Sequence, residues 1–389
     1  MIKKFEIKNF KSHENTDLEF SNITILTGMN GMGKSSVIQA LLLLRQSYLK
    51  SMLHLGLELN SDLCSIGVAK DAIYQYATVD NIIFKLWTDN FIRRWDFIVD
   101  NRKLDATFIN NSDLDIEYED EEDKENSIIE ETKSLKEQCL FDNNFQYISA
   151  FRNGPVKDYD RNTSAVEIFN QISGKEGRCE WLAHYLDFHK NLKVNEHLIH
   201  HEESSPELMY QVQFWMQSIS PDINIHLELN GANYKLKYSF GRGEHNTTTD
   251  KFEAMNVGFG ISYVLPIVVA TLSAKPGSLI IIENPESHIH PSAQSKLMEL
   301  ISKAAKTGVQ FIIETHSDHI INGLLVALKF GLILPEETSI YYFDKEITRQ
   351  TTQSYKINVS SNCRIKNAPE GFFDQFGKDL RILMQTKKT

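Results

Sequence analysis

The sequence predicts an α/β fold in which a core sheet carries a ligand site at one edge, and three observations support this. Residues 23–26 form a β-branched apolar run that leads into a glycine-rich segment, residues 28–35, and then into an apolar helical pattern from Val37. Residues 279–282 form a continuous apolar run that ends at Glu283, and residues 309–313 form a second run, apolar except for Gln310, that is followed by polar residues. Such runs are typical of parallel strands buried on both faces. Ligands of open α/β sheets bind at the carboxyl edge of the strands.

The composition is that of an ordinary globular protein. Of the 389 residues, 41% are hydrophobic and 24% are charged. Apolar runs such as residues 264–272 are too short to cross a bilayer, so we expect a cytoplasmic protein without membrane contact.

The four cysteines form no C-x-x-C pair, which favours buried free thiols over disulfides or zinc. The net charge of −11 argues against general coating of nucleic acid, while a local basic face stays open.

The first elements are predicted strands of an antiparallel sheet. Residues 2–8 alternate apolar and polar side chains, and residues 18–20 lead through a short turn to the strand at residues 23–26. Further short strands, separated by turns, follow between residues 57 and 108. We expect these strands to form an antiparallel sheet that flanks the core.

Residues 28–35 match the pattern G-x-x-x-x-G-K-[ST], and they lie between a strand and a helix, the setting in which this pattern binds a nucleoside triphosphate. The glycines let backbone N–H groups converge on phosphate oxygens, and the helix adds the positive end of its dipole. Lys34 would contact the β- and γ-phosphates, and Ser35 would hold Mg²⁺. We therefore predict ATP and Mg²⁺ as cofactors. The predicted nucleotide contacts are Asn30, Gly31, Met32, Gly33, Lys34, Ser35 and Ser36.

The middle of the chain is predicted to form a second lobe. Residues 113–131 are strongly acidic and have little apolar area to offset chain entropy, which predicts a mobile loop, with a binding role as the alternative. Residues 165–218 have helical periodicity, and residues 223–240 alternate as a hairpin with its turn at Asn230 and Gly231. The histidines of this region lack the spacing of a metal site, so we interpret them as surface or core residues.

Two later strands end in side chains suited to a metal and phosphate site. The apolar strand at residues 279–283 ends in Glu283, whose carboxylate is predicted to be a Mg²⁺ ligand. The next apolar strand is followed by His316, at the same predicted edge. Both residues are therefore candidates for the same nucleotide site as the glycine-rich segment.

The segment N-F-K-S at residues 9–12 lies between the first predicted strand and residues 28–35, which we call the phosphate loop. This order of a strand, N-F-K-S and a phosphate loop resembles the amino-terminal part of ABC-type ATPases related to SMC, Rad50, RecF and the OLD proteins. The resemblance implies that Lys11 lies near the base or the phosphates of the nucleotide, with a solvated surface lysine as the alternative. In this family, the segment that leaves the core sheet for the helical lobe approaches the γ-phosphate and the metal. The resemblance places Arg152 there, unless it forms an ion pair that braces the turn.

The resemblance also assigns a signature motif to residues 258–260. In the ABC-type family, a short S-x-G motif at the start of a helix donates to the γ-phosphate of a nucleotide held by the opposite subunit. Gly258, Phe259 and Gly260 match this motif with glycine in place of serine, which keeps the backbone donors and the helix dipole but removes the hydroxyl. Because one chain is not expected to close both motifs on one nucleotide, two copies should sandwich two ATP molecules.

The residues for hydrolysis depart from the family pattern. In these ATPases a glutamate that polarises the attacking water follows the metal-side acid, but here Asn284 holds that position. An amide orients a water but does not accept its proton at neutral pH. Either Glu286 takes over this role, or hydrolysis is slow and the nucleotide acts as a clamp. His288 and His290 match a loop that contacts the other subunit, with a zinc pair as the rival, and His316 matches the switch histidine at the γ-phosphate.

The last third of the chain resembles one bacterial branch, ABC-like AAA-labelled ATPases with a characteristic carboxy-terminal domain of unknown function. The resemblance rests on the segments ENPESHIHP, GVQFIIETHSDHIINGL, YYFD and NAPEGFFDQ. Relatives in the broad OLD/RecF-like class act in antiphage systems such as Septu and PARIS, beside a nuclease or another effector. Some OLD proteins carry that nuclease as a fused Toprim domain. Since no such segment follows here, we expect the effector to be a separate polypeptide.

We therefore predict an α/β ABC-type ATPase head with a P-loop core sheet, an antiparallel flank and a helical lobe. The predicted core consists of residues 1–155 and 273–345, the helical lobe with the signature of residues 156–272, and a carboxy-terminal extension of residues 346–389.

Three functional hypotheses follow from this class. The first is a homodimeric or larger ATPase that acts as a nucleotide-dependent switch in antiphage defence and controls an effector such as a nuclease or toxin. The second is a RecF- or SMC-like repair ATPase that binds DNA, supported by Lys3, Lys4, Lys8 and Lys11 and opposed by the net acidity. The third is a nucleotide-gated scaffold with almost no turnover.

Overall fold

The structure, a computed structural model, describes residues 1–112, 121–241, 248–360, 362–366 and 368–384. Within these residues the strands are β1 (Ile2–Phe10), β2 (His13–Glu19), β3 (Ile23–Gly28), β4 (Gly56–Glu58), β5 (Asn81–Thr88), β6 (Ile92–Ile98), β7 (Phe108–Asn111), β8 (Phe145–Ile148), β9 (Ile223–Asn230), β10 (Asn233–Phe240), β11 (Phe252–Glu253), β12 (Leu279–Glu283), β13 (Gln310–Thr315), β14 (Thr338–Glu346), β15 (Thr351–Val359) and β16 (Ile365–Lys366). The α-helices are α1 (Lys34–Leu49), α2 (Ala69–Ala72), α3 (Glu121–Lys136), α4 (Leu182–His189), α5 (Leu208–Ile219), α6 (Phe259–Ser273), α7 (Pro291–Lys306), α8 (Asp318–Lys329) and α9 (Gln375–Leu383). None of these helices has the length and apolar character that a membrane crossing needs.

The centre of the fold is a seven-stranded sheet in the order β16-β15-β14-β3-β13-β12-β8. The strands from β14 through β8 run parallel, and β15 and β16 extend one edge in antiparallel fashion. Successive residues of β12 face two different cores. Leu279 and Ile281 pack with α1 and the second large sheet, in what we call the flank core, whereas Ile280 and Ile282 pack with α6, α7 and α8 in the lobe core. Burial on both faces is the reason that these strands are continuous apolar runs.

The second large sheet has the order β2-β1-β5-β6-β7-β4. All of its neighbouring strands are antiparallel, which confirms the predicted antiparallel flank. Phe5, Phe84 and Phe97 point into the flank core together with the apolar face of α1, and the alternate residues of these strands are more exposed. The first of the strands predicted from residue 57 onward is shorter than expected, because only β4 (Gly56–Glu58) is part of the sheet there.

Residues 156–272, the expected helical lobe, combine helices with a small sheet. A π-helix (Ser164–Ile168), α4 and α5 lie within the segment that has helical periodicity. The predicted hairpin is confirmed, since β9 and β10 pair with Asn230 opposite Asn233 at the turn. β11 adds a third strand, and α6 buries its apolar side chains in the lobe core.

The prediction of a mobile loop at residues 113–131 is wrong for the part that the structure describes. Residues 113–120 lie outside the described residues, whereas residues 121–131 belong to α3. Glutamate and lysine are good helix formers. In addition, Leu135 is buried in the flank core, and Glu131 forms an ion pair with Arg93 at 3.0 Å. These tertiary contacts, which the charge pattern does not reveal, anchor the helix.

Candidate nucleotide site

A cavity of about 490 Å³ opens at the carboxyl edge of the core sheet. There the phosphate loop between β3 and α1 meets the ends of β12 and β13. The predicted site residues that line this cavity are Asn30, Gly31, Gly33, Lys34, Ser35, Ser36, Glu283, Asn284 and His316. Side chains that were not predicted also contribute to the wall, among them Gln39, Cys64, Tyr147, Phe151, Glu176 and Glu314.

The phosphate loop has the backbone geometry that its glycines permit. Gly28, Gly31 and Gly33 have φ angles of 137°, 79° and 100°. A Cβ atom on Gly28 would lie 2.3 Å from the carbonyl oxygen of Phe343, and one on Gly33 would lie 2.3 Å from Oγ1 of Thr352. The loop therefore passes so close to β14 and β15 that only glycine fits at these two positions. α1 begins directly after the loop, which brings the positive end of its dipole to the cavity.

Lys34 is buried at the base of this loop. Its ammonium group donates hydrogen bonds to the carbonyl oxygens of Gly28 at 2.9 Å and Met29 at 2.7 Å. Burial lowers the pKa of Lys34, and the carboxylate of Glu314, 4.0 Å from Nζ, opposes this effect. Since hydrogen bonds between charged partners are stronger than those to neutral carbonyls, an incoming phosphate would compete well for this ammonium group.

Two buried carboxylates lie side by side where β12 and β13 end. Glu283 and Glu314 are direct partners in the parallel register. Glu283 accepts hydrogen bonds from the Tyr147 hydroxyl at 3.2 Å and the Ala150 N–H at 3.1 Å, and Glu314 accepts one from the Ser35 hydroxyl at 2.9 Å. Burial raises the pKa of both acids. For Glu314, the neighbouring charge of Glu283 adds to burial, and its pKa rises to about 7.

These groups fit the predicted magnesium ion. Mg²⁺ prefers oxygen ligands, and the wall offers the hydroxyl of Ser35 and the carboxylates of Glu283 and Glu314. One carboxylate oxygen of Glu314 is buried without a hydrogen-bond partner, a state that a cation would relieve. Sequence reasoning missed Glu314. The available signal was an acid at the end of an apolar strand, two residues before the predicted switch histidine.

The loop after β12 contains two candidate catalytic residues, Asn284 and Glu286, which have different surroundings. Asn284 lines the cavity, whereas Glu286 does not. Both carboxylate oxygens of Glu286 are occupied, because Oε2 accepts a hydrogen bond from the Thr315 hydroxyl at 2.7 Å and Oε1 accepts one from the N–H of His316 at 2.8 Å. Burial lowers the pKa of His316, which favours the neutral imidazole. In this geometry Glu286 positions His316 and does not face the cavity as a base.

Arg152 lies beside the site and does not line it. Its buried guanidinium donates hydrogen bonds to the carbonyl oxygens of Tyr263 at 2.8 Å, Ser149 at 2.9 Å, Glu283 at 2.7 Å and Asn284 at 2.8 Å. The approach of Arg152 to the γ-phosphate stays a prediction. The alternative, an ion pair at the turn, is not among these contacts, because all four acceptors are backbone carbonyls. Instead, Arg152 connects the ends of β8 and β12 with the first turns of α6.

The predicted signature at residues 258–260 forms the start of α6 and does not line the cavity of its own chain. Phe259 is 58% exposed. A Cβ atom on Gly260 would lie 2.3 Å from the carbonyl oxygen of His288, so this glycine allows close contact with the loop after β12. The ring of His288 packs against Phe259, whereas His290 caps the amino terminus of α7. The two histidines therefore have different partners.

Two predicted nucleotide contacts lie outside the main cavity. Lys11 lines an adjoining pocket of about 370 Å³, which shares Ser12 with the main cavity. Its ammonium group donates to Oε1 of Gln39 at 2.7 Å, and burial lowers its pKa. Met32 packs against the flank core. Lys11 thus borders the site through Gln39, and Met32 supports the loop from behind.

Comparisons with known proteins place these features among related folds. A family model described as "AAA domain, putative AbiEii toxin, Type IV TA system" matches residues 23–322, and one described as "Protein of unknown function (DUF3696)" matches residues 333–383. The structure is similar to that of the SmcHead bound to the C-winged helix domain of ScpA, with a TM-score of 0.55, 13% identity and coverage of 92% of this chain and 98% of that chain. It is also similar to the Smc head domain with an extended coiled coil bound to the C-terminal domain of ScpA from Pyrococcus furiosus, with a TM-score of 0.50, 12% identity and coverage of 99% of both chains.

Two curated relatives match a short segment of the sequence. The DNA double-strand break repair Rad50 ATPase of Archaeoglobus fulgidus is 44% identical over 43 residues, which are 11% of this chain and 5% of that protein. The protein of the same name from Methanococcus maripaludis is 50% identical over 42 residues, which are 10% of this chain and 4% of that protein. The chain thus matches only a small part of the length of these relatives.

Proposed function

The chain belongs to the family described as AAA domain, putative AbiEii toxin, Type IV TA system, and on this premise we propose that it binds ATP with Mg²⁺, hydrolyses ATP slowly and uses the nucleotide as a switch. The family match and the similarity to Smc heads confirm the predicted class, an ATPase with an ABC-type head. The observation that carries the proposal is the convergence of Lys34, Glu283 and His316 on one cavity.

Each group has its own task in the proposed reaction. The backbone N–H groups of the phosphate loop and the ammonium group of Lys34 hold the β- and γ-phosphates. Ser35 and Glu283, the acid at the end of β12, would hold Mg²⁺, which neutralises charge on the phosphates when bound. His316 contacts the γ-phosphate, and Asn284 orients the attacking water.

Slow turnover follows from the side chains at the water position. The attacking water must lose a proton, and the amide of Asn284 does not accept one. The nearby carboxylate of Glu286 is already occupied by Thr315 and His316. General-base catalysis contributes about 10²- to 10⁴-fold to a rate, so we expect turnover to be reduced by a factor of this order.

Steady-state phosphate release tests the ATPase assignment. We expect Lys34→Ala to abolish both ATP binding and phosphate release, because it removes the cation at the phosphates. Asn284→Glu should raise the rate by placing a carboxylate in the cavity. Glu286→Gln should lower the rate through the position of His316. If the wild type and both other variants release phosphate only at the level of Lys34→Ala, the protein is a nucleotide-gated scaffold and not an ATPase.

We also propose that two copies of the chain enclose two ATP molecules. The start of α6 lies outside the cavity of its own chain, and the first N–H groups of a helix have no partner within that helix. Met29 and Phe151 beside the cavity, and Phe259 at the signature, are exposed apolar side chains, which is typical of interfaces. Light scattering should show a dimer with a non-hydrolysable ATP analogue and a monomer for Lys34→Ala. A monomer with bound analogue would contradict the sandwich.

The nucleotide state would control a separate effector, a nuclease or toxin, in cytoplasmic antiphage defence. Support comes from the resemblance of the last third of the chain to ATPases of antiphage systems. We expect cells that carry the gene with its neighbours to lower phage plating efficiency, and Lys34→Ala to remove this protection. Unchanged protection with Lys34→Ala would argue against a nucleotide switch.

A DNA-repair ATPase is the alternative, favoured by the segment shared with Rad50 ATPases. However, Lys3, Lys4 and Lys8 lie 3.0 Å, 2.7 Å and 2.6 Å from carboxylates, which reduces the positive charge available for a phosphate backbone. Salt-dependent binding of duplex DNA by the ATP-bound protein would favour the repair function, because counterion release makes such affinity fall with salt. Lack of this binding would favour the switch.

A further inference from the structure

We propose that Glu314 is a further ligand for the cation of the nucleotide site. One of its carboxylate oxygens accepts a hydrogen bond from the Ser35 hydroxyl, and the other is available to the cation. This inference rests on the proposed function, since it assigns a further residue to the same ATP and Mg²⁺ site. Sequence patterns indicated only Ser35 and Glu283 for this role, and Glu314 lies on a different strand.

The hydrogen bond between Ser35 and Glu314 is the first observation. The Ser35 hydroxyl donates to Oε1 of Glu314 at 2.9 Å. A hydroxyl has one proton and two lone pairs, so when its O–H donates a hydrogen bond to a carboxylate, both lone pairs are left for a cation. Glu314 therefore orients Ser35 as a ligand, as hydrogen-bond partners of metal ligands commonly do.

The second observation concerns the other oxygen of the same carboxylate. Among the described side chains, Oε2 of Glu314 is the only carboxylate oxygen that is buried without a hydrogen-bond partner. Glu314 is 5% exposed and lines the cavity. An unpaired oxygen of this kind raises the free energy of the folded protein, and carboxylate oxygens are good Mg²⁺ ligands. A cation in the cavity would give Oε2 the partner that it lacks.

The third observation is the difference between Glu314 and its partner in the sheet, Glu283. Both oxygens of Glu283 accept hydrogen bonds, from Tyr147 and Ala150. Glu283 is thus fastened to the end of β8, while Glu314 faces the phosphate loop. Lys34 gives Glu314 only a distant countercharge at 4.0 Å. The two adjacent carboxylates thus have only one ammonium group, that of Lys34, as a countercharge. The double positive charge of Mg²⁺ would balance them better.

Glu314→Gln in the full-length protein tests this role, because glutamine keeps the size of the side chain but removes its charge. Mn²⁺ replaces Mg²⁺, and its binding is followed by electron paramagnetic resonance in the presence of a non-hydrolysable ATP analogue. Affinity for the analogue is measured separately in EDTA. We expect the Mn²⁺ concentration at half saturation to rise about 10- to 100-fold, while the affinity in EDTA stays at the wild-type value.

Glu337→Gln is the matched control. Glu337 directly precedes β14, at the edge of the core sheet opposite the cavity, so this variant removes the same charge away from the site. It should leave the Mn²⁺ titration unchanged. Ser35→Ala should weaken Mn²⁺ binding as well. Because the hydroxyl and the carboxylate act as one unit, the double variant with Glu314→Gln should be no weaker than the more severe single variant.

Several results would overturn the inference. One is a wild-type Mn²⁺ titration in Glu314→Gln, and another is an equal loss of analogue binding in EDTA, which would indicate a general distortion of the site. Fully additive losses of Mn²⁺ affinity in the double variant would contradict the claim that Ser35 and Glu314 act as one unit. Failure of the wild type itself to bind the analogue would be a different outcome, since it would remove the proposed function and this inference together.

Discussion

Replacing Glu314 with glutamine is expected to stabilise the protein at alkaline pH when nucleotide and metal are absent, although the same change weakens the proposed site. Burial, together with the charge of Glu283, raises the pKa of Glu314 from 4.5 to about 7. An acid with a raised pKa binds its proton more tightly in the folded state. Its contribution to stability is therefore complete below pH 4.5 and is lost as the pH rises through 7. At about 1.4 kcal/mol for each pH unit between these values, the loss is about 3 kcal/mol.

Glutamine does not ionise, so the Glu314→Gln variant keeps this free energy. The free energy of unfolding of the variant, minus that of the wild type, should increase by about 3 kcal/mol between about pH 4.5 and about pH 8. Urea denaturation in EDTA, followed by tryptophan fluorescence, measures this difference at each pH. Glu337→Gln serves as the control with the same loss of charge. A difference that is equal at both pH values would refute the effect of burial on Glu314.

Two further predictions concern the contacts behind the site. Gly260→Ala should destabilise the protein by about 1–3 kcal/mol in urea denaturation, because its Cβ would lie 2.3 Å from the carbonyl oxygen of His288 and overpacking outweighs the gain in helix propensity. Gly258→Ala, which meets no atom within 4 Å, should cost less, about 1 kcal/mol or below, because Gly258 is the N-cap of α6 and alanine is a poor N-cap residue; equal losses in the two variants would contradict the close contact. Arg152→Ala should cost about 3–5 kcal/mol, since four carbonyl oxygens lose their donor, whereas the exposed Arg178→Ala should have little effect. Similar thermal melting of both arginine variants would show that the buried contacts are not stabilising.

The core elements were predictable because their signals are local. β12 and β13 are buried on both faces, and this requirement appears directly as apolar runs. The glycines of the phosphate loop were recognisable because their backbone conformation excludes other residues, as the positive φ angles of Gly28 and Gly33 show. The antiparallel flank and the hairpin at β9 and β10 were recognisable from their period of two.

Elements that depend on distant partners were not predictable in this way. The charge pattern of α3 favours a solvated loop, but Leu135 and the ion pair between Glu131 and Arg93 anchor it as a helix. In the same way, nothing in the residues around Arg152 indicates that its donors go to backbone carbonyls of two distant segments, the start of α6 and the end of β12. A side chain's partners belong to other parts of the chain, so its local pattern does not specify its contacts.

By itself, the sequence determined the class of fold, the position of the phosphate loop and the acid that ends β12. Only the tertiary structure decided that Glu314 is the carboxylate bonded to Ser35, and that Glu286 is turned toward Thr315 and His316. The physical reason is that the register of parallel strands and the path of the following loops select which side chains become neighbours. Spacing along the chain carries no direct record of that register.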